Sequence, residues 1–322
     1  MEKLSPAVLE SFGLPNRGIR KEKGQYICST AEGLVKIHST PEHPEAINLQ
    51  HSIKEYLAKA FPHIDPYRLT TSGEPYIIVG RETYVATVYP QGYKEIDFED
   101  EGEVLSSVRA LAKLHGVSKA IPQNLTISPP LPEIYARYLN DLAQGSKQAR
   151  RAPRMSDFDV SFIKYAPTAV NLIQDAIERL NKTNYSELYT NAVQQGSLCH
   201  NALKEENILI TQGPTYIVNY ANAAIDLQLN DLAALIRRYA QRSTKSIPAR
   251  RLIKEYDSIT PLPRQTEEIL YAQLILPWAF LKLSAQYYSK KRNWTPNGLI
   301  TRMETVLAER ESYEAYIRGC LE

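Results

Sequence analysis

The apolar positions of this 322-residue chain change their period along its length. A short helix is expected over residues 6–12, and two β-rich runs, 25–28 and 34–37, flank Ala31-Glu32-Gly33 as a hairpin. Between residues 44 and 61 the apolar positions Ile47, Ile53, Tyr56, Leu57 and Ala60 recur at helical spacing, and Pro62 stops that helix. Residues 76–79 and 84–89 form a second hairpin. Two hairpins around one helix make a small sheet lobe, which cannot bury much apolar area without a larger neighbour.

Pro90-Gln91-Gly92 interrupts the last strand and sets the lobe boundary, giving a sheet lobe over 1–90 and a helical lobe over 91–322. Val104, Leu105, Val108, Leu111, Ala112 and Leu114 line one face of a helix ending near His115-Gly116, with Gly116 as its C-cap. A proline-rich stretch (127–132) and a basic loop around 145–154 follow. Residues 158–180, 231–238 and 247–256 read as helices. Residues 266–288 read as one long apolar helix kinked at Pro277, and 294–321 as a closing helix.

One segment breaks this helical run. Residues 198–222, LCHNALKEENILITQGPTYIVNYAN, read as a loop, a strand, a tight turn at Gln212-Gly213-Pro214 and a second strand ending on Asn219. Composition narrows the setting without naming a chemistry. Hydrophobic residues at 43% and charged residues at 23% suit a large core, and a net charge of +2 gives no reason to expect nucleic acid as partner. The cluster Lys147, Arg150, Arg151, Arg154 reads as a solvated surface. Three scattered cysteines (Cys28, Cys199, Cys320) form no disulfide framework, which points to a reducing compartment. The N-terminus shows no apolar signal core, and no apolar run is long enough to span a bilayer. Tyrosine outnumbers phenylalanine 21 to 6, through half-buried phenols or through a phenol-rich surface.

The central segment resembles the catalytic segment of the kinase fold, H-x-D-L-x-x-x-N followed by a hairpin and a metal-binding Asp. His200, Leu203 and Asn207 stand at matching positions, but Ala202 occupies the place of the proton-accepting Asp and Asn219 that of the metal-binding Asp. The resemblance implies an α+β, two-lobed protein-kinase-like fold with a small antiparallel-sheet N-lobe and a large, mainly helical C-lobe. Without DFG, APE or a G-x-G-x-x-G loop, the chain resembles the aminoglycoside and choline phosphotransferase branch more than protein kinases. It resembles the CotS-type spore-coat family of spore-forming bacteria more closely still. The stretches CHNALKEENILI, YIVNYANAAIDLQLNDLAALIRR and LILPWAFLKLSAQYYSKKRNW carry that similarity.

By the resemblance, Lys36 takes the place of the phosphate-binding strand Lys, with Glu55 as its helix partner or Gln50 if the register differs by a turn. Lys36, Glu55 and Asn207 then outline a nucleotide site. His200, Lys204 and Asp231 are remnants: His200 holds backbone geometry, Lys204 contacts phosphate or solvent, and Asp231 sits in a helix's first turn. Asp226 is the nearby carboxylate that could replace the lost metal ligand. Loss of a general base alone lowers rates by about 10²–10⁴. The expectation is therefore a catalytically inactive pseudokinase with a structural or interaction role in the spore coat or its assembly. It would carry no resident cofactor or metal, be made in the mother-cell cytoplasm and have other coat proteins as partners. Two rivals stay open. One is a kinase using unusual residues with ATP and magnesium; the other is a module that binds nucleotide without transfer, through Lys36 and residues 89–92.

Overall fold

The structure, a computed structural model, describes residues 4–15, 18–22, 24–31, 33–121, 125–245, 247–289 and 296–319. It divides into two compact units, residues 1–126 with 196–224, and residues 127–195 with 225–322. This is a different partition from lobes of 1–90 and 91–322. The hinge, the helix after it and the central segment group with the sheet.

The first unit opens with helix α1 (Pro6–Ser11). A five-stranded antiparallel sheet follows, with strands β1 (Ile19–Glu22), β2 (Gln25–Thr30), β3 (Gly33–Thr40), β4 (Tyr76–Val79) and β5 (Glu82–Tyr89) in the order β1-β2-β3-β5-β4. Both expected hairpins are present, and β1 joins them as an edge strand that the apolar pattern did not signal. Side chains alternate along β3. Val35 and Ile37 enter a core with Val8, Leu9 and Phe12 of the α1 region, so Lys36 and His38 share the opposite face.

Helix α2 (Pro44–Ala58) begins with Pro44 in its first turn and is capped by His43, whose Nδ1 accepts the Glu45 N–H. It stops short of the expected residue 61. Its buried stripe is Ile47, Gln50, Ile53, Lys54 and Leu57, a helical repeat that leaves Glu55 outside. Strand β6 (Lys94–Glu95) pairs with the central segment. Helix α3 (Glu101–Val117) runs through Gly116 and is capped by Ser118, so Gly116 is helical rather than terminal. The central segment supplies β7 (Leu198–Cys199), β8 (Ile208–Ile210) and β9 (Tyr216–Ile217). The last two pair antiparallel around the expected turn.

The second unit is mainly helical among its described residues: α4 (Leu131–Arg151), α5 (Asp157–Asn181), α6 (Tyr185–Gln194), α7 (Leu229–Arg242), α8 (Ala249–Asp257), α9 (Thr266–Leu274), α10 (Trp278–Tyr288) and α11 (Pro296–Gly319). The expected basic loop over 145–154 is largely the end of α4. Leu142, Gly145 and Ala149 face the core there at helical spacing, and Lys147, Arg150 and Arg151 are exposed. Helix α6 had no counterpart in the apolar reading. The single kinked helix over 266–288 is two helices, because Pro277 ends the ladder rather than bending it. The Trp278 indole N–H donates to the freed Gln273 carbonyl at 2.8 Å. Trp294 and the Lys-Lys-Arg-Asn run before it lie outside the described residues, as does Cys320. Tyr135, Tyr220, Tyr239 and Tyr256 are among the largest fully buried side chains, so burial accounts for part of the tyrosine excess.

Candidate functional site

The 198–222 segment holds its shape through side chains that brace the backbone. The His200 Nδ1 accepts the Ala202 N–H at 3.3 Å, which fixes the neutral tautomer with Nε2–H donating to the Val218 carbonyl at 2.9 Å. Asn207 is buried. Its amide donates to the Ala202 carbonyl at 2.7 Å, and its carbonyl oxygen accepts the Asn219 amide at 3.2 Å. Asn219 has φ of 69°, a left-handed conformation that Asn tolerates better than most residues. These bonds tie residues 200, 202, 207 and 219 into one closed unit. In this arrangement Asn207 has both ends of its side chain engaged within the protein.

The expected partner of Lys36 is elsewhere. Glu55 is two-thirds exposed, and its carboxylate lies 3.8 Å from His51 on its own helix. Gln50 faces inward but donates to Glu42 at 2.7 Å and accepts the Tyr67 hydroxyl at 3.0 Å. The Lys36 ammonium instead stands 3.7 Å above the Tyr89 ring and 5.0 Å from that of Tyr93. The other remnants separate in the same way. Lys204 is half exposed and reaches Glu206 at 3.5 Å, the solvated alternative. Asp231 is buried in the first turn of α7, where the helix dipole favours it, and belongs to the second unit. Asp226, in that unit too, accepts the Leu227 N–H at 2.7 Å; burial pushes its carboxyl up, and Ser128 and Asn230 pull it down through hydrogen bonds.

Reading the sequence missed the pair that the structure places beside Asn219. Lys54 and Asp65 are each 2% exposed, and the ammonium lies 3.0 Å from Asp65 Oδ2 and 4.2 Å from the Tyr67 ring centre. Asp65 Oδ1 accepts the Asn219 N–H at 3.0 Å. The carboxylate that touches position 219 thus comes from the chain after α2, and an ammonium neutralises it. His38 completes the cluster. Burial lowers its pKa, Lys54 and Lys36 lower it further, and Asp65 opposes them. Its Nδ1 is buried without a hydrogen-bond partner among the described residues. The α2 stripe through Ile47, Gln50 and Leu57 was enough to point Lys54 inward. Nothing local marked Asp65, which lies outside any recognised motif.

Against known proteins, the family model described as "Spore coat putative kinase YutH" matches residues 7–320. The chain is 20% identical over 248 residues to the endospore coat-associated protein YutH of Bacillus subtilis, covering 71% of each chain. It is 20% identical over 190 residues to spore coat protein S of the same organism, covering 58% of this chain and about half (53%) of that relative's length. An aminoglycoside phosphotransferase from Alicyclobacillus acidocaldarius superposes with a TM-score of 0.85 at 15% identity, covering 99% of this chain and 96% of that one. The AMP-bound spectinomycin phosphotransferase APH(9)-Ia gives 0.69 at 13% identity, with 96% of each chain covered. The fold is that of the kinase-like phosphotransferases, as the sequence resemblance implied.

Proposed function

The chain belongs to the YutH family of spore coat kinase-like proteins, and on that premise we propose that it serves the spore coat or its assembly as a catalytically inactive pseudokinase. Its role is then structural or interaction-based, with other coat proteins as partners. One observation carries this reading: the Asp65 carboxylate at position 219 is already neutralised by Lys54 and bonded to the Asn219 N–H. Magnesium in a phosphotransferase site is held by carboxylate and phosphate oxygens. Ala202 offers no side-chain oxygen, Asn219 offers an uncharged one, and the Asn207 oxygen, uncharged too, already accepts the Asn219 amide. This donor set does not fit a magnesium–nucleotide complex. A nucleotide phosphate seeking Lys36 would first have to draw it off the Tyr89 ring.

The test is a thermal-shift titration with ATP, with and without Mg²⁺, on the wild type, on Lys36→Ala, and on the double variant Ala202→Asp, Asn219→Asp. A ligand at about 100 times its dissociation constant adds roughly 2.7 kcal/mol, a clear rise in melting temperature. The expected result is no Mg²⁺-dependent rise in the wild type and one in the double variant. A Mg²⁺-dependent rise in the wild type that disappears in Lys36→Ala, together with phosphorylated product, overturns the inactive reading.

A further inference from the structure

The second unit carries a groove of about 750 Å³ that the kinase-like reading does not use. That volume is in the range of small-molecule sites. Its walls come from α4 through Tyr138, α7 through Arg237 and Arg238, α10 through Trp278 and Lys282, and α11 through Arg302. Among the described residues four cations line it and no Asp or Glu does.

Arg237 is the informative member. Its guanidinium lies 4.6 Å from the Trp278 ring centre. The charged or titratable groups acting on it are Tyr313, Tyr138, Tyr135 and Arg238, with no carboxylate among them, and burial pushes its pKa down. Beside it the Tyr135 hydroxyl is buried without a hydrogen-bond partner among the described residues. Withdrawing a cation from water is unfavourable unless an anion compensates it, and this protein supplies none among the described residues. The floor beneath Arg237 is the Trp278 ring, with the Tyr138 ring edge-on to it at 5.7 Å.

We propose that this groove binds a small organic anion, its phosphate or carboxylate group seated on Arg237 and Lys282 and its body against Trp278. A guanidinium that is planar, forked and held on an aromatic ring is preorganised for a two-oxygen contact. Lys282 is exposed and can close over the ligand from the rim.

The test measures the melting temperature of the full chain with inorganic phosphate, with citrate and with sodium chloride at matched ionic strength. The wild type should be stabilised by phosphate, by citrate or by both beyond the chloride reference; which of them acts identifies the anionic group. Arg237→Met should melt higher than wild type without ligand, because an uncompensated charge is gone, and should lose at least tenfold in anion affinity. Lys282→Gln, an exposed change that leaves the fold alone, should lose several-fold. A response that is no greater than chloride, or unchanged in Arg237→Met and Lys282→Gln, overturns the proposal. Stabilisation by poly-glutamate but by neither small anion also overturns it and makes the occupant an acidic polypeptide.

Discussion

Lys54 in the sheet-bearing unit and Arg237 in the helical unit are both cations drawn partly out of water, and the protein treats them differently. Lys54 ends 3.0 Å from Asp65, stands over Tyr67, and through Asp65 is linked to the backbone of Asn219. Arg237 has an indole ring beneath it and another arginine beside it. The first cation is compensated from within, so its surroundings are complete without a ligand. The second is not. A buried charge of the first kind serves the fold; a half-buried one of the second kind marks a place where something from outside supplies the missing charge.

The sharpest way to break this contrast is to remove the internal compensation. Asp65→Ala leaves Lys54 buried with no counter-charge and Asn219 N–H without its acceptor. Deleting one partner of a buried pair destabilises by about 3–5 kcal/mol, so urea unfolding should show a midpoint far below the wild type. The paired change Lys54→Met, Asp65→Leu removes both charges and should recover most of that loss, since an apolar pair of similar volume can replace a buried ion pair. If Asp65→Ala is as stable as the wild type, Lys54 is not buried as described, and the compensated site does not exist.

The same contrast explains which parts could be read from the sequence. The hairpins, the end of the strand before residues 90–92 and the spacing from His200 to Asn207 are local patterns that the structure keeps, although the two units do not divide there. The last turns of α4 were harder: Gln144, Ser146, Lys147 and Gln148 are typical of both a solvated loop and a helix surface, and only Leu142, Gly145 and Ala149 at helical spacing distinguish the two. The break between α9 and α10 turned on whether Pro277 bends or ends a helix, which neighbouring contacts decide. Asp65 was illegible for a different reason. It joins position 219 from 154 residues away, and no sequence period encodes a contact at that separation. The structure does not bring Glu55 to Lys36, because residue 55 lies off the buried stripe of α2; Gln50, the alternative, lies on that stripe but bonds Glu42 and Tyr67.

A smaller effect is expected from Lys36. Its ammonium is held by the Tyr89 and Tyr93 rings rather than by a carboxylate, an interaction of about 0.5–2 kcal/mol. Lys36→Met keeps the aliphatic stem packed on those rings and removes only the charge. The unfolding midpoint should fall by a fraction of the Asp65→Ala effect. A fall as large as that of Asp65→Ala would mean that Lys36 carries an ion pair, which would return it to the role first expected of it.

The smallest effect separates the two units by pH. All six histidines (residues 38, 43, 51, 63, 115 and 200) belong to the sheet-bearing unit. His38 has a folded pKa below the ordinary 6.5 because burial, Lys54 and Lys36 disfavour its charged form, with Asp65 opposing; burial and Lys113 lower that of His63. The unfolded chain therefore binds protons before the folded one as pH falls past about 6.5, so stability is full above that value and declines below it. Asp226 in the helical unit has the opposite sign. Its folded pKa is raised above 3.8, chiefly by burial, so its contribution is full at acid pH and is lost as pH rises through the folded value. Melting temperatures from pH 5.0 to 7.5 should rise with pH in the wild type and rise less steeply in His38→Gln, with His63 contributing to the slope that remains. Asp226→Asn should leave that slope unchanged near neutrality and alter the curve only at its acid end. An unchanged slope in His38→Gln would mean that His38 is solvated rather than enclosed with Lys36, Lys54 and Asp65.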